Sequence, residues 1–244
     1  MNIPTVEKRC HHNPEVNCGD CRLASICLPI SLQIEDIDRL DDIIQRGRPI
    51  HKLDHVYYAG DAFSSVYALR SGAIKTVKVT QDGEEQITGF YLPGEIIGMD
   101  GLATNHHSNS AIALETSAIC EIPFARLEEL SAKIPSLQRR FFQLMSKEIT
   151  QDQQLITLLS KNSAEERIAS ILLSISSRNG NRGLSPQDFF LPMSRSDIGN
   201  YLGLTIETVS RVFSRLNKMS IIALDKKHVQ IEDMDALKNI ASAL

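Results

Sequence analysis

The period of apolar and polar positions changes three times along the chain, and each change predicts a different kind of element. From Ile50 to about Pro123 apolar residues alternate in short runs that end in turn residues. HVYYAGD, SSVYALRSG, AIKTVKVTQDG, EEQITGFYLPG, EIIGMDG and SAIALETSAICEIP each predict a strand followed by a turn, with Gly60, Gly72, Gly83, Gly94 and Gly101 at the turns. Asp82-Gly83 is the clearest hairpin tip. Such regular spacing predicts a small antiparallel barrel or jelly roll, whose mouth could hold a ligand. His106-His107 is a doublet in a polar loop, expected to be solvated rather than to bind metal.

After a short predicted helix, Phe124 to Ala132, the pattern lengthens. Ser136 to Leu159 follows Pro135 and contains no Gly or Pro. As a helix it would be roughly 36 Å long. Phe142, Met145, Ile149, Asp152, Ile156 and Leu159 recur with the four-three spacing of a coiled-coil seam. Asp152 is the wrong residue for a seam. In a parallel pair two such carboxylates would meet in a poorly solvated groove, opposing dimerisation or forcing one to take a proton. Spacing alone equally allows an ordinary buried helix with Asp152 turned to solvent.

The third pattern is helical and short. Ser163-Ala164-Glu165-Glu166 is a capping box opening ERIASILLSISSR, and Asn179 to Ser185 is a Gly- and Asn-rich break. SRSDIGNYLGLTIETVSRVFSRLNKMSII then predicts two helices, one capped by Ser194 and ending at Leu202, the other capped by Thr205 and running through Lys218, with Gly203 at the turn. Ile198, Leu202, Leu204, Val209, Val212, Phe213 and Leu216 fill the angle between them, which is a helix-turn-helix. Glu207, Ser210 and Arg211 share one face of the N-terminal half of the second helix, the half that enters a major groove. Arg can bond two acceptors on guanine, Glu can accept from cytosine N4, and Ser can touch base or phosphate. Arg215 and Lys218 follow as candidate phosphate contacts. Leu224 to Val229 resembles a hairpin wing with Lys226 and Lys227 at its tip.

Composition narrows the partners. Over 244 residues the formal net charge is −4, so any surface for double-stranded DNA must be local. No apolar run is long enough to span a bilayer, and MNIPTVEKRC lacks the apolar core of a secretory signal. Cysteine is clustered: Cys10, Cys18, Cys21 and Cys27 precede a single distant Cys120. Clustered cysteines without a leader point to metal or redox chemistry in a reducing cytoplasm. Cys18, Cys21 and Cys27 form C-x2-C-x5-C. Zinc would need a fourth donor, with Cys10, His11 or His12 nearby. An iron–sulfur cluster would need a fourth cysteine. Taken alone, Cys120 in SAICEIP is a small core residue.

With a cysteine-rich arm, a β-barrel, a long seam helix and a winged helix-turn-helix in this order, the chain resembles the CRP/FNR family of bacterial transcription regulators, above all its oxygen-sensing FNR branch. The resemblance covers nearly the whole chain. It is carried by C-x2-C-x5-C, EEQITGFYLPGEIIG, ALETSAICEIPF, LLSKNSAEERIA and DIGNYLGLTIETVSR. It implies an α+β chain divided into an arm (1–30), a cyclic-nucleotide-binding-like sensor barrel (31–134), a dimerisation helix (135–160) and a winged helix-turn-helix (161–244). It implies no enzyme, but a homodimer holding one [4Fe–4S] cluster per subunit on Cys18, Cys21, Cys27 and Cys120, which reverses the core reading of Cys120. By the same resemblance oxygen would convert the cluster to [2Fe–2S], destroy it, and part the dimer. Glu207, Ser210 and Arg211 would read each half of a palindrome resembling TTGAT-N4-ATCAA.

Other implications and departures sit beside these. Surface loops such as Thr80 to Glu85 and Ser117 would meet RNA polymerase, as in the family. Cyclic-nucleotide-binding relatives carry an Arg-Ser pair to meet the phosphate, whereas the matching region here is Asn109-Ser110-Ala111, so no cyclic nucleotide is expected. Cys10, His11 and His12 are assigned no role. Arg22 places a cation beside the expected cluster. The competing reading is a CRP-like regulator with structural zinc on Cys18, Cys21 and Cys27 and another signal in the barrel. A redox enzyme or electron carrier leaves the helix-turn-helix unexplained.

Overall fold

The computed structural model describes residues 16–80 and 82–241, so Cys10, His11 and His12 lie outside the described residues. A 3-10 turn at Leu28–Ser31 and helix α1 (Ile34–Asp41) lead into strands β1 (His55–Tyr57), β2 (Ser65–Ser71), β3 (Ile74–Val79), β4 (Glu85–Tyr91), β5 (Ile96–Ile97), β6 (Ser110–Ala113) and β7 (Ala118–Pro123). Helices α2 (Phe124–Lys133), α3 (Pro135–Lys161) and α4 (Ala164–Asn181) follow. Then come β8 (Asp188–Phe190), α5 (Arg195–Leu202), α6 (Ile206–Lys218), β9 (Ile222–Asp225), β10 (His228–Ile231) and α7 (Met234–Ala241).

The sensor is built from two antiparallel sheets, ordered β1-β6-β3-β4 and β5-β2-β7. Alternation buries one face of β7, where Ala118, Cys120 and Ile122 point inward, whereas β6 is buried along its whole length. SAIALETSAICEIP makes two strands rather than one. Its middle bends so that Ser117 bridges to Ile50. Ser117 is only 1% exposed and its hydroxyl donates to the Ala73 and Glu115 carbonyls, so it is not a surface contact for any partner. His107 departs from expectation too. It is 3% exposed because its ring stacks on Tyr57 of β1, with centroids 3.8 Å apart, and Nδ1 lies 3.3 Å from Asp100 Oδ1.

The long helix forms and is slightly longer than predicted. Its inner face seals the sensor: Leu137 is buried, with Phe141 and Leu144 packed on the same cluster. Its outer face leaves Phe142, Ile149 and Ile156 between 56% and 66% exposed. Met145 and Leu159 on that side are half-buried and Asp152 is exposed. Past α3, the capping box at Ser163 and Glu166 opens α4 as expected. However, α4 runs through Asn179 and Gly180 instead of breaking there. Ile175, Ser176 and Asn179 are buried against the C-terminal domain, and that packing overrides local propensity. The wing also gains a third strand, with order β8-β10-β9.

Candidate metal centre and nucleic-acid interface

The cysteine arm is folded onto the sensor by contacts around each thiol. Leu28, next to Cys27, is buried in the cluster that contains Leu40, Ala68, Ile122 and Cys120, and Cys27 packs against it. The turn at Gly94, with φ of +92°, receives Ile26; a Cβ there would lie 2.4 Å from Ile26 Cδ1, so only glycine admits the arm. Arg140 of α3 donates through Nη2 to the Ile26 carbonyl at 2.7 Å and through Nε to the Cys27 carbonyl at 3.2 Å. On the other side the Cys18 amide donates to Asp41 Oδ1 at 2.7 Å, and Arg46 pairs with the same carboxylate. Arg46 Nη2 lies 3.9 Å from Cys18 Sγ.

Cys120 reaches this place by register, opposite Ala68 of β2. Cys18 and Cys120 are buried, and Cys21 and Cys27 are half-buried; all four are free thiols. They feel one another's charge. Burial pushes the Cys27 thiol up to about 12, and Cys120 and Cys21 add to the rise while Arg140 opposes it. Burial also raises Cys120, with Arg70 and Arg46 opposing and Cys21 reinforcing. Burial raises Cys18 as well, aided by Asp41 and Cys27. A thiolate-bound group here would have to displace protons from thiols that favour the neutral form. Among the described residues no three His, Cys, Asp or Glu side chains converge as tightly as one metal ion requires. Arg46, Arg70 and Arg140 lie near enough to oppose the rise of the Cys18, Cys120 and Cys27 thiols. Asp41, Arg46 and Arg140 carry no local sequence signal, because each meets the cysteines only through the fold.

The C-terminal domain presents the predicted reading face. Ser194 and Asp197 form a capping box on α5, Gly203 ends it in the left-handed region, and the Thr205 hydroxyl caps α6 by accepting from the Thr208 amide at 3.2 Å. Buried Val209, Val212, Phe213 and Leu216 turn the opposite side of α6 outward, where Glu207, Ser210, Arg211, Arg215 and Lys218 are all exposed. Ser210, Arg211, Arg215 and Lys218 line one shallow groove. The Glu207 carboxyl is held below its usual range by its own backbone amide at the helix N-terminus and by the Thr205 hydroxyl, so it is ionised and able to accept. Arg211 Nη2 donates to Thr208 Oγ1 at 3.2 Å, and Arg215 pairs with Glu165 of α4. The Arg215 pairing was not legible from α6 alone.

Comparison with known proteins identifies the sensor and the C-terminal domain. A Crp-like helix-turn-helix domain model matches residues 166–240, and a cyclic nucleotide-binding domain model matches residues 48–133. The transcriptional activator protein anr of Pseudomonas aeruginosa is 53% identical over 220 residues, 90% of each chain. The fumarate and nitrate reduction regulatory protein of Escherichia coli is 47% identical, over 93% of this chain and 90% of its own. This chain belongs to the FNR branch of the CRP/FNR family. It is therefore a DNA-binding transcription regulator rather than an enzyme. FixK2 from Bradyrhizobium japonicum, of the same architecture, is 28% identical with a TM-score of 0.76, covering 83% of this chain and 99% of its own. Among the described residues no helix of this regulator is long and apolar enough to cross a membrane.

Proposed function

We propose that this regulator responds to oxygen through a [4Fe–4S] cluster, one per subunit, held by Cys18, Cys21, Cys27 and Cys120, and that the loaded form is a cytoplasmic homodimer. The observation that carries this reading is that Cys120, from β7, and Cys27 of the arm pack on one buried cluster, with Cys18 and Cys21 near enough to shift the neighbouring thiols. When bound, the cluster supplies an iron–sulfur core that oxygen destroys. The chain's own residues do the rest. Leu28 and Ile26 seat the arm, Arg46 and Arg140 offset thiolate charge, and Arg140 ties the arm to α3.

The exposed apolar stripe of Phe142, Ile149 and Ile156 is the surface on which a second copy would pack, together with Met145, Leu159 and the repulsive Asp152. Each α6 would then read half of a palindrome resembling TTGAT-N4-ATCAA, with Glu207, Ser210 and Arg211 on bases and Arg215 and Lys218 on phosphates. Half-sites ~34 Å apart suit such a two-fold pair. The barrel takes no cyclic nucleotide in this reading. The Ser108 and Asn109 amides, beside the region where relatives meet the phosphate, already donate to Asp100 Oδ2 at 2.8 and 2.9 Å. The exposed β3–β4 tip is the surface offered to RNA polymerase.

Iron, acid-labile sulfide and zinc per chain in protein isolated without oxygen test the proposal, followed by light scattering and palindrome binding as air is admitted. Support is about four irons and four sulfides, lost in air together with the dimer and DNA binding. One zinc, no sulfide and a dimer indifferent to air would replace it with the zinc-stabilised reading.

A further inference from the structure

EEQITGFYLPG and DIGNYLG hold neither a cysteine nor a base-reading residue, yet the fold brings them together. β4 is an edge strand of the β1-β6-β3-β4 sheet, so half of its backbone groups lack a strand partner. The Asn200 side chain of α5 takes that place. Its Oδ1 accepts from the Ile87 amide at 2.6 Å and its Nδ2 donates to the Glu85 carbonyl at 2.7 Å. The carboxamide thus does for β4 what the peptide group of a neighbouring strand would do. Gln86 Nε2 returns a bond to the Asn200 carbonyl at 2.8 Å. One strand over, Lys75 Nζ donates to Asp197 Oδ1 at 2.9 Å, both side chains largely buried. Phe90 meets the Tyr201 ring edge-on with centroids 5.0 Å apart.

This contact is placed where support is needed. The DNA-binding domain continues from α3 through a two-residue connection, and a cavity of about 830 Å³ lies between α3, α4 and β4. Arg178 of α4 also reaches the sensor, pairing with Glu95 and donating to the Phe90 carbonyl at 2.6 Å, but that link holds α4 rather than the helix-turn-helix itself. With the contact made, Glu207, Ser210 and Arg211 still face solvent.

We infer that Asn200, Lys75 and the β4 edge form a clasp that positions the helix-turn-helix against the sensor and so sets the half-site spacing the regulator accepts. The inference rests on the palindrome-binding dimer proposed above. Two reading heads held at a fixed angle engage the second half-site as a preset pair. Two free heads lose that advantage and tolerate wrong spacing. Asp197 also caps its own helix, so the informative changes are Asn200→Ala and Lys75→Met, with Lys75→Arg as the conservative control.

The full-length dimer, cluster-loaded or carrying Asp152→Ala if that change proves to dimerise it, is titrated with three duplexes: one TTGAT half-site, the N4 palindrome, and a palindrome whose spacer is two base pairs longer. The expected result is a loss of about fivefold or more on the N4 palindrome, the scale of a typical coupling between sites. Half-site affinity stays unchanged, preference for N4 over the longer spacer shrinks, and the Ile87 amide exchanges faster. Lys75→Arg retains the wild-type preference. Equal losses on half-site and palindrome, tighter binding, or an undiminished spacer preference would each overturn the positioning role. A wild-type dimer that itself ignores spacing would remove the palindrome reading and the clasp's role with it.

Discussion

Arg140 donates two hydrogen bonds from the long helix to the cysteine arm, and replacing it by Met removes that link. Met keeps much of the length and apolar stem but loses both bonds, to the Ile26 carbonyl at 2.7 Å and the Cys27 carbonyl at 3.2 Å. Hydrogen bonds from a charged donor contribute about 1.5–3 kcal/mol each. Here the second is long, the guanidinium is only partly buried, and water can reach the half-buried arm. Together these reduce the total to about 2 kcal/mol, a change of about 30-fold in the equilibrium for opening the arm. The assay is amide hydrogen exchange of the full chain without cluster, followed on peptides from the arm. Arm exchange should quicken by about that factor in Arg140→Met while the β2–β7 ladder stays unchanged. Arg140→Lys, with one donor group, should fall between. In loaded protein Arg140→Met should also raise the concentration needed to dimerise, because the arm would be held less firmly to α3. Unaltered arm exchange in a variant of unchanged stability would refute the reasoning, since the arm would then be held by its apolar contacts and the Cys18–Asp41 bond without help from Arg140.

Three further outcomes follow from single residues. Partial desolvation holds the Asp152 carboxyl above its usual range on the outer face of α3, so Asp152→Ala should dimerise and bind DNA in air; a monomer by light scattering would sink the idea. Leu53 sits at φ +74° with its side chain 66% exposed, a conformation costing an ordinary residue about 1–2 kcal/mol. Leu53→Gly should raise stability by about 0.5–1 kcal/mol after the added freedom of the unfolded glycine, read as a higher urea midpoint that Leu53→Ala does not give. Burial alone would raise Asp197, but the Ser194 hydroxyl and Lys75 outweigh it and hold the carboxyl below its ordinary 3.8. A depressed carboxyl stabilises the fold above its unfolded pKa and loses that contribution as pH falls through the folded value. Lys75→Met should therefore lose less stability than wild type on acidification below about pH 4, and parallel acid limbs in urea unfolding would count against the Lys75 pairing.

Local chemistry alone determined much of this protein. Alternation with glycine turns defined the sensor strands, the four-three repeat defined α3 and its outer face, and caps at Ser194 and Thr205 with Gly203 between them defined the helix-turn-helix. These signals act within a few residues, so the chain carries them in plain order. The spacing of Cys18, Cys21 and Cys27 marked them as metal ligands, and the fourth cysteine was nameable only through family resemblance. Cys120 on its own was a core residue like Ala118 and Ile122, and the register of β7 against β2 brings it to Cys27. Tertiary structure alone decided that His107 and Ser117 are buried, that α4 continues through Asn179 and Gly180, and that Arg140, Asp41 and Arg46 surround the thiols. It also decided that Asn200 completes the edge of β4. In each case the partners are far apart in sequence, and a side chain's pattern records which way it faces but not what comes to meet it.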